Sequence, residues 1–238
     1  RGIRNRFNSN LTHATLAFAP KVKLNLLPSD RMHQCIAYTG LYELTITKHI
    51  YQLAKEGGLL VDVGANIGYY TCIWTATQKE NTAIAFEAAP RNIDLLRQNV
   101  RKNSFDPQVT VSSKAVGRTE GEILFDPGPS ELSGQGSFAL GEKERHITVN
   151  QTPLDDYFAT SDVFIDVLKI DIEGADTWAL EGAEKLLKQR RIGHIFFEQY
   201  TPHMKSLGIR EGQAHELLRS YGYEIEQLGS DEYHAFRV

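Results

Sequence analysis

The chain has 238 residues, of which 41% are hydrophobic and 24% charged, with a formal net charge of −4. That length supports one large domain with a sizeable core, and the mixture excludes a disordered or collagen-like chain. The acidic balance argues against nucleic acid as a partner, and no apolar run approaches the ~20 residues that span a bilayer.

In chain order, residues 1–40 read as an irregular extension or cap and residues 41–238 as one domain. The stretch 41–55 carries Leu41, Leu44, Tyr51 and Ala54 at helical spacing, and Gly57-Gly58 provides a stop. A βαβα series follows: a strand at 59–63, a helix at 67–77, a strand at 83–86 and a helix at 91–102. Pro90 suits the first turn of that last helix, and Arg97, Arg101 and Lys102 suit its end. Short strands are expected at 109–112, 122–125 and 146–149, with a long Gly, Pro and Ser-rich loop at 126–141. An apolar strand at 163–172, a helix at 175–188 and a strand at 194–197 resume the pattern. Trp178, Ala179, Ala183, Leu186 and Leu187 share one side of that helix. A helix at 212–219 and two strands, 223–227 and 233–238, which could pair as a hairpin, end the chain. Alternation of this kind implies a parallel sheet covered by helices.

Cys35 and Cys72 have neither metal nor redox spacing and read as reduced and unpaired. With no signal-peptide core visible, a cytoplasmic location is expected. A start at Arg1 rather than methionine is compatible with the chain being part of a longer, multidomain polypeptide.

The most informative stretch is Val61-Asp62-Val63-Gly64-Ala65-Asn66-Ile67-Gly68, where a buried strand ends in an acid and passes through glycines into a helix. Such a turn lets a ligand approach the backbone, and the helix start aims free N–H groups into the crevice above the strand ends. A dinucleotide site would need glycines where Asn66 and Tyr69 stand, so a pyrophosphate is excluded. Glu87 falls at the carboxyl end of the next strand, where an acid can hold both hydroxyls of a ribose.

These residues resemble the FkbM-type methyltransferases of the class I S-adenosylmethionine-dependent group. The resemblance rests on the stretch from Val61 to Gly68, on Phe86-Glu87-Ala88-Ala89-Pro90, on Ala115-Val116-Gly117 and on Leu168-Lys169-Ile170-Asp171-Ile172-Glu173-Gly174-Ala175-Asp176, with Phe196-Phe197-Glu198 as the next strand end. Gly40-Leu41-Tyr42-Glu43 is similar to the family's lead-in helix, and Asp176 stands where the family more often has Glu. The resemblance implies an α/β fold with a doubly wound, mostly parallel, Rossmann-like sheet, a C-terminal antiparallel hairpin and a short N-terminal extension. It implies S-adenosylmethionine as cofactor, with Asp62, Gly64, Ala65, Asn66 and Gly68 around the methionine moiety, Glu87 and Ala88 at the ribose, and Ser113, Lys114 and Ala115 at the adenine edge. Asp171 joins that set, and the family typically methylates hydroxyl oxygens of sugars or natural products.

Methyl transfer needs the acceptor oxygen in line with the methyl group, and a base helps remove the hydroxyl proton. Asp171 and Glu173 share strand parity at the end of the 163–172 strand, and Glu198 ends the next one, which makes these three the catalytic candidates. The plainer alternative has Glu173 capping the following helix and Lys169 only pairing with a neighbouring carboxylate. The three carboxylates could hold magnesium, but no dedicated metal site is expected. His146 and His203 lie near the crevice without ligand spacing. The 126–141 loop could act as a substrate lid, with Ser130, Ser133, Gln135 and Ser137 as hydrogen-bonding groups. The expected function is O-methylation of a sugar, glycan or small-molecule hydroxyl. N- or C-methylation and a silent cofactor-binding module are the alternatives.

Overall fold

The computed structural model describes residues 11–129, 131–139, 141 and 145–237. The first part of the cap is more regular than expected. A hairpin of β1 (His13–Thr15) and β2 (Lys23–Asn25) precedes α1 (Arg31–Thr39). The Asp30 carboxylate caps α1 by accepting from the His33 N–H at 3.0 Å, and Gly40 closes it at φ +69°. The expected helix from 41 begins only with α2 (Leu44–Ala54), because Glu43 sits in the left-handed region at φ 41° and turns the chain.

Next come β3 (Leu59–Val63), α3 (Tyr69–Thr77), β4 (Thr82–Phe86), α4 (Pro90–Lys102) and β5 (Val109–Ser112), with Pro90 in the first turn of α4. A second sheet holds β6 (Ala115–Val116), β7 (Gly121–Asp126), β8 (Ser137–Phe138) and β9 (Ile147–Thr152) in the order β6-β9-β7-β8. The segment expected to be a bare loop therefore contains a 3-10 turn at Ser133–Gln135 and a strand, β8, that pairs antiparallel with β7. Ser130 lies outside the described residues.

After α5 (Leu154–Tyr157) and β10 (Ile165–Ile170), the single helix expected at 175–188 is two, α6 (Asp176–Glu181) and α7 (Glu184–Lys188). The break has a long-range cause. A Cβ on Gly182 would lie 2.0 Å from the Gly117 carbonyl oxygen, the Gly182 carbonyl accepts from the Asp155 N–H at 2.8 Å, and the Asp155 carboxylate accepts from the N–H groups of Lys185 and Leu186. The chain ends with β11 (Ile192–Glu198), α8 (Thr201–Ser206), which periodicity did not reveal, α9 (Gln213–Ser220), β12 (Glu224–Gln227) and β13 (Glu232–Phe236).

The main sheet has the order β12-β13-β11-β10-β3-β4-β5. Strands β11 to β5 run parallel, and β13 enters antiparallel between β11 and β12, so the terminal hairpin completes the sheet. Burial on both faces explains the apolar runs: β3 is buried at all five positions. One core packs α2, α3 and the residues of the cap, among them Leu16, Leu24 and Ile36, around Trp74. The other packs α5, α6, α7 and α9 against the opposite face.

Chain order reverses between β3 and β10, and open α/β sheets bind ligands above such a reversal. There a Cβ on Gly64 would lie 2.0 Å from the Asp171 carbonyl oxygen, and Gly64 has φ +82°. Gly64→Ala is expected to lower unfolding free energy by roughly 2–4 kcal/mol, from backbone strain plus overpacking. Chemical denaturation checks this, and an unchanged midpoint would show that the strands can part without loss.

Candidate active site

The turn after β3 is tied to the end of β4. The N–H groups of Gly64 and Ala65 both donate to the Phe86 carbonyl, each at 2.9 Å. Asn66, at φ 49°, then aims its own N–H at Glu87 Oε2 (2.8 Å), while Glu87 Oε1 accepts from the Ala89 N–H at 2.8 Å. The Glu87 carboxylate is 7% exposed, and burial pushes its pKa up to about 7 against the pull of those two N–H donors. The Asn92 side chain also favours the charged form, and the carboxylate keeps acceptor capacity toward the cavity it lines, which suits hydroxyl donors on a ligand.

A single cavity spans the reversal. On the β4 and β5 side it is lined by Phe86, Glu87, Ala88, Lys114, Ala115, Val116 and Phe125, a mostly apolar slot beside the carboxylate. Gly64, Ala65 and Asn66 line the middle, and Tyr42, Tyr70, Lys169, Asp171, Glu173 and Glu198 line the β10 and β11 side. Ser133, Gly134, Gly136, Ser137 and Phe138 from the 126–141 segment also line it, whereas Gln135 does not. That segment is fastened to the cap: the Ser133 N–H donates to Asp30, and Ser133 Oγ lies 3.2 Å from both His33 Nε2 and Asn66 Nδ2.

Three residues expected at the cofactor do not line the cavity. Asp62 is 1% exposed beneath it, with Oδ2 accepting from the Thr71 N–H (3.1 Å) and hydroxyl (2.6 Å), so it caps α3 from the strand. Gly68 faces α4, where a Cβ would meet Leu96 at 2.6 Å, and Ser113, just past β5, is exposed.

The carboxylates on the β10 side are crowded. Asp171, Glu198 and Glu43 each place an oxygen within 4.8 Å of the others. Lys169, 3% exposed, donates to Asp171 Oδ2 at 2.9 Å and lies 4.8 Å from the Tyr70 ring centre. Burial opposes its charge, but Asp171, Glu43 and Asp62 outweigh that and raise its pKa. Burial, then Asp171 and Asp176, push Glu198 up to about 9 and Glu173 up to about 7. Glu173 does not cap α6. It stands at φ 54° on the cavity wall with Oε2 3.3 Å from His203 Nδ1. His146 instead lies 3.5 Å from Asp126 and lines no part of the cavity. The acidic triplet has the reach to hold a cation, but the Lys169 ammonium already supplies one beside Asp171.

Two contributors lie in stretches that carry the family resemblance but are not among the expected site residues. Glu43 is held by the Tyr70 hydroxyl at 2.6 Å, a contact across the fold. Asp176, fully buried and pushed up to about 7 chiefly by burial, accepts from the N–H groups of Ile172 (3.1 Å) and Glu198 (2.7 Å) and so ties the ends of β10 and β11 together.

A profile of the methyltransferase FkbM domain matches residues 62–225. Hexuronic acid methyltransferase AglP of Haloferax volcanii is 27% identical over 194 residues, which covers 80% of this chain and 74% of AglP. Methyltransferase sdnD of Sordaria araneosa is 25% identical over 218 residues, covering 78% of this chain and 82% of sdnD. The crystal structure of methyltransferase FkbM from Methylobacillus flagellatus KT superposes with a TM-score of 0.53 at 18% identity. It covers 76% of this chain, which spans 44% of that protein.

The raised carboxylates set a pH dependence, and burial raises Glu43 and Asp62 in the same direction. Glu87, Glu173, Asp176 and Glu198 have folded pKa values above their unfolded ones, so the folded chain binds more protons between about pH 4 and 9. Stability is full below that window and falls as pH rises through it. The ligand-free chain is expected to melt at a lower temperature at about pH 8.5 than at about pH 5.5. A melting temperature that rises over this range would contradict the placement of these groups.

Proposed function

The chain belongs to the FkbM methyltransferase family, and on that premise we propose that it is an S-adenosylmethionine-dependent O-methyltransferase acting on a hydroxyl of a sugar, glycan or small natural product. The observation that carries this reading is the Glu87 carboxylate, fixed by Asn66 and Ala89 at one side of the cavity with acceptor capacity to spare. That is the donor–acceptor match for a ribose diol. The apolar walls from Phe86, Ala115, Val116 and Phe125 suit an adenine, and the Gly64 turn admits the methionine part. AglP, whose name marks it as a methyltransferase of a hexuronic acid, supports an acceptor among sugars.

Bound there, S-adenosylmethionine supplies an electrophilic methyl group on a sulfonium. The protein's part is to position and dehydrate the acceptor and to take its proton. Glu173 lines the cavity and titrates near neutral pH, which suits a base for a hydroxyl. His203, beside Glu173 and 40% exposed, leads from that carboxylate to solvent. Asp171 orients Lys169 against Tyr70, and Asp176 keeps Glu198 in line with them.

Titration calorimetry tests the reading directly. S-adenosylmethionine is expected to bind, and Glu87→Gln to weaken that binding roughly tenfold or more by removing a charged acceptor. Incubation of labelled cofactor with hydroxylated acceptors is expected to give methyl ethers. A chain that binds no S-adenosylmethionine would reject the proposal, and N- or C-methylated products would redirect it.

A further inference from the structure

The cap, the turn after β3 and the 126–141 segment meet at one buried junction. The family match covers it only in part, because His33 precedes the matched residues 62–225. His33 and Ser133 are both buried. Ser133 Oγ lies 3.2 Å from His33 Nε2 and 3.2 Å from Asn66 Nδ2, and His33 Nε2 lies 3.4 Å from Asn66 Oδ1. Asn66 is the residue whose N–H holds Glu87 Oε2. We propose that His33 and Ser133 are positioning residues for nucleoside binding: they clamp the Asn66 side chain, so that its backbone N–H stays on Glu87 and the carboxylate stays turned to a ribose. This rests on the proposed cofactor.

The direction of each hydrogen bond follows from one backbone contact. The Leu27 N–H donates to His33 Nδ1 at 2.9 Å, so that nitrogen is an acceptor and, in the neutral ring, the proton sits on Nε2. Burial favours the neutral ring by lowering the His33 pKa. The Nε2–H therefore donates toward the Asn66 and Ser133 side chains, and Asn66 completes the triangle by donating from Nδ2 to Ser133 Oγ. Ser133 is itself fixed. Its N–H donates to Asp30, which also accepts from the His33 N–H, and its carbonyl accepts from Asn92 Nδ2 at 3.0 Å. The chain just before it is held by the Arg91 guanidinium, which donates to the carbonyls of Pro127 (3.1 Å) and Pro129 (2.8 Å). The clamp matters because Asn66 stands at φ 49°, in the left-handed region that a non-glycine residue seldom keeps unaided. Freed of its side-chain partners, the peptide between Ala65 and Asn66 can rotate and take its N–H off Glu87.

The two ring nitrogens of His33 separate its bond within the cap from its bond to the site. His33→Asn keeps an acceptor for the Leu27 N–H and loses the reach to Asn66, whereas His33→Gln keeps a donor toward Asn66 and loses that acceptor. In calorimetry of the full chain with S-adenosylhomocysteine, His33→Asn and Ser133→Ala are each expected to weaken binding about fivefold, and His33→Gln to stay within about twofold of the unsubstituted chain. Melting temperatures are expected to run the other way, with His33→Asn above His33→Gln. A merely structural role makes affinity follow melting temperature, and that result would overturn the inference. A cycle with Glu87→Gln identifies the route: with the carboxylate gone, His33→Asn and Ser133→Ala are each expected to cost less than about twofold more. Full additivity would overturn it as well. Should a His33 variant fail to fold, Ser133→Ala, which removes one hydroxyl and no backbone contact, decides alone, and an affinity it leaves unchanged counts against the inference. An unsubstituted chain that binds no S-adenosylhomocysteine would overturn the cofactor reading and this inference with it.

Discussion

The backbone of Asp171 passes so close to Gly64 that no side chain fits between them, and the cavity takes its shape from that contact. It joins β3 to β10 where the chain order reverses. With Gly64 held, the next N–H groups have one direction left, toward Phe86 at the end of β4, and Asn66 is delivered to Glu87. Backbone geometry at one glycine therefore orients the carboxylate that defines one side of the cavity and brings up the acids of the other.

The acids are held by different means. Asp176 spends both oxygens on backbone N–H groups to fasten two strand ends, while Asp62 uses Oδ2 alone to hold the start of α3 and leaves Oδ1 buried without a partner. Glu87 is fastened like Asp176 yet keeps acceptor capacity toward the cavity. Asp171, Glu173 and Glu198 are fastened least and repel one another most, a cost in stability accepted where a protein must interact with positive charge or move a proton.

Much of this was legible in the sequence for local reasons. Asp171 and Glu173 do line the cavity, but not by strand parity, since β10 ends at Ile170 and Glu173 is turned in by its left-handed backbone, whereas the acid after β4 pointed to Glu87. What stayed hidden depends on contacts distant in sequence. The break at Gly182 follows from the Gly117 carbonyl, and Glu43 reaches the site only because its left-handed turn lets Tyr70 hold it. Asp62, Gly68 and Ser113 belong to the right motifs but face α3, α4 and solvent, a distinction that spacing does not encode. Three-residue strands such as β1 and β2 are too short to show a period, so the cap looked irregular.

The central claim concerns where a nucleoside lies and what grips its sugar. A crystal structure of the chain with S-adenosylhomocysteine measures that directly. The account requires both ribose hydroxyls within about 2.5–3.2 Å of the Glu87 carboxylate oxygens and the base against Ala115 and Val116. A ligand seated elsewhere, with Glu87 bonded only to Asn66 and Ala89, would contradict it.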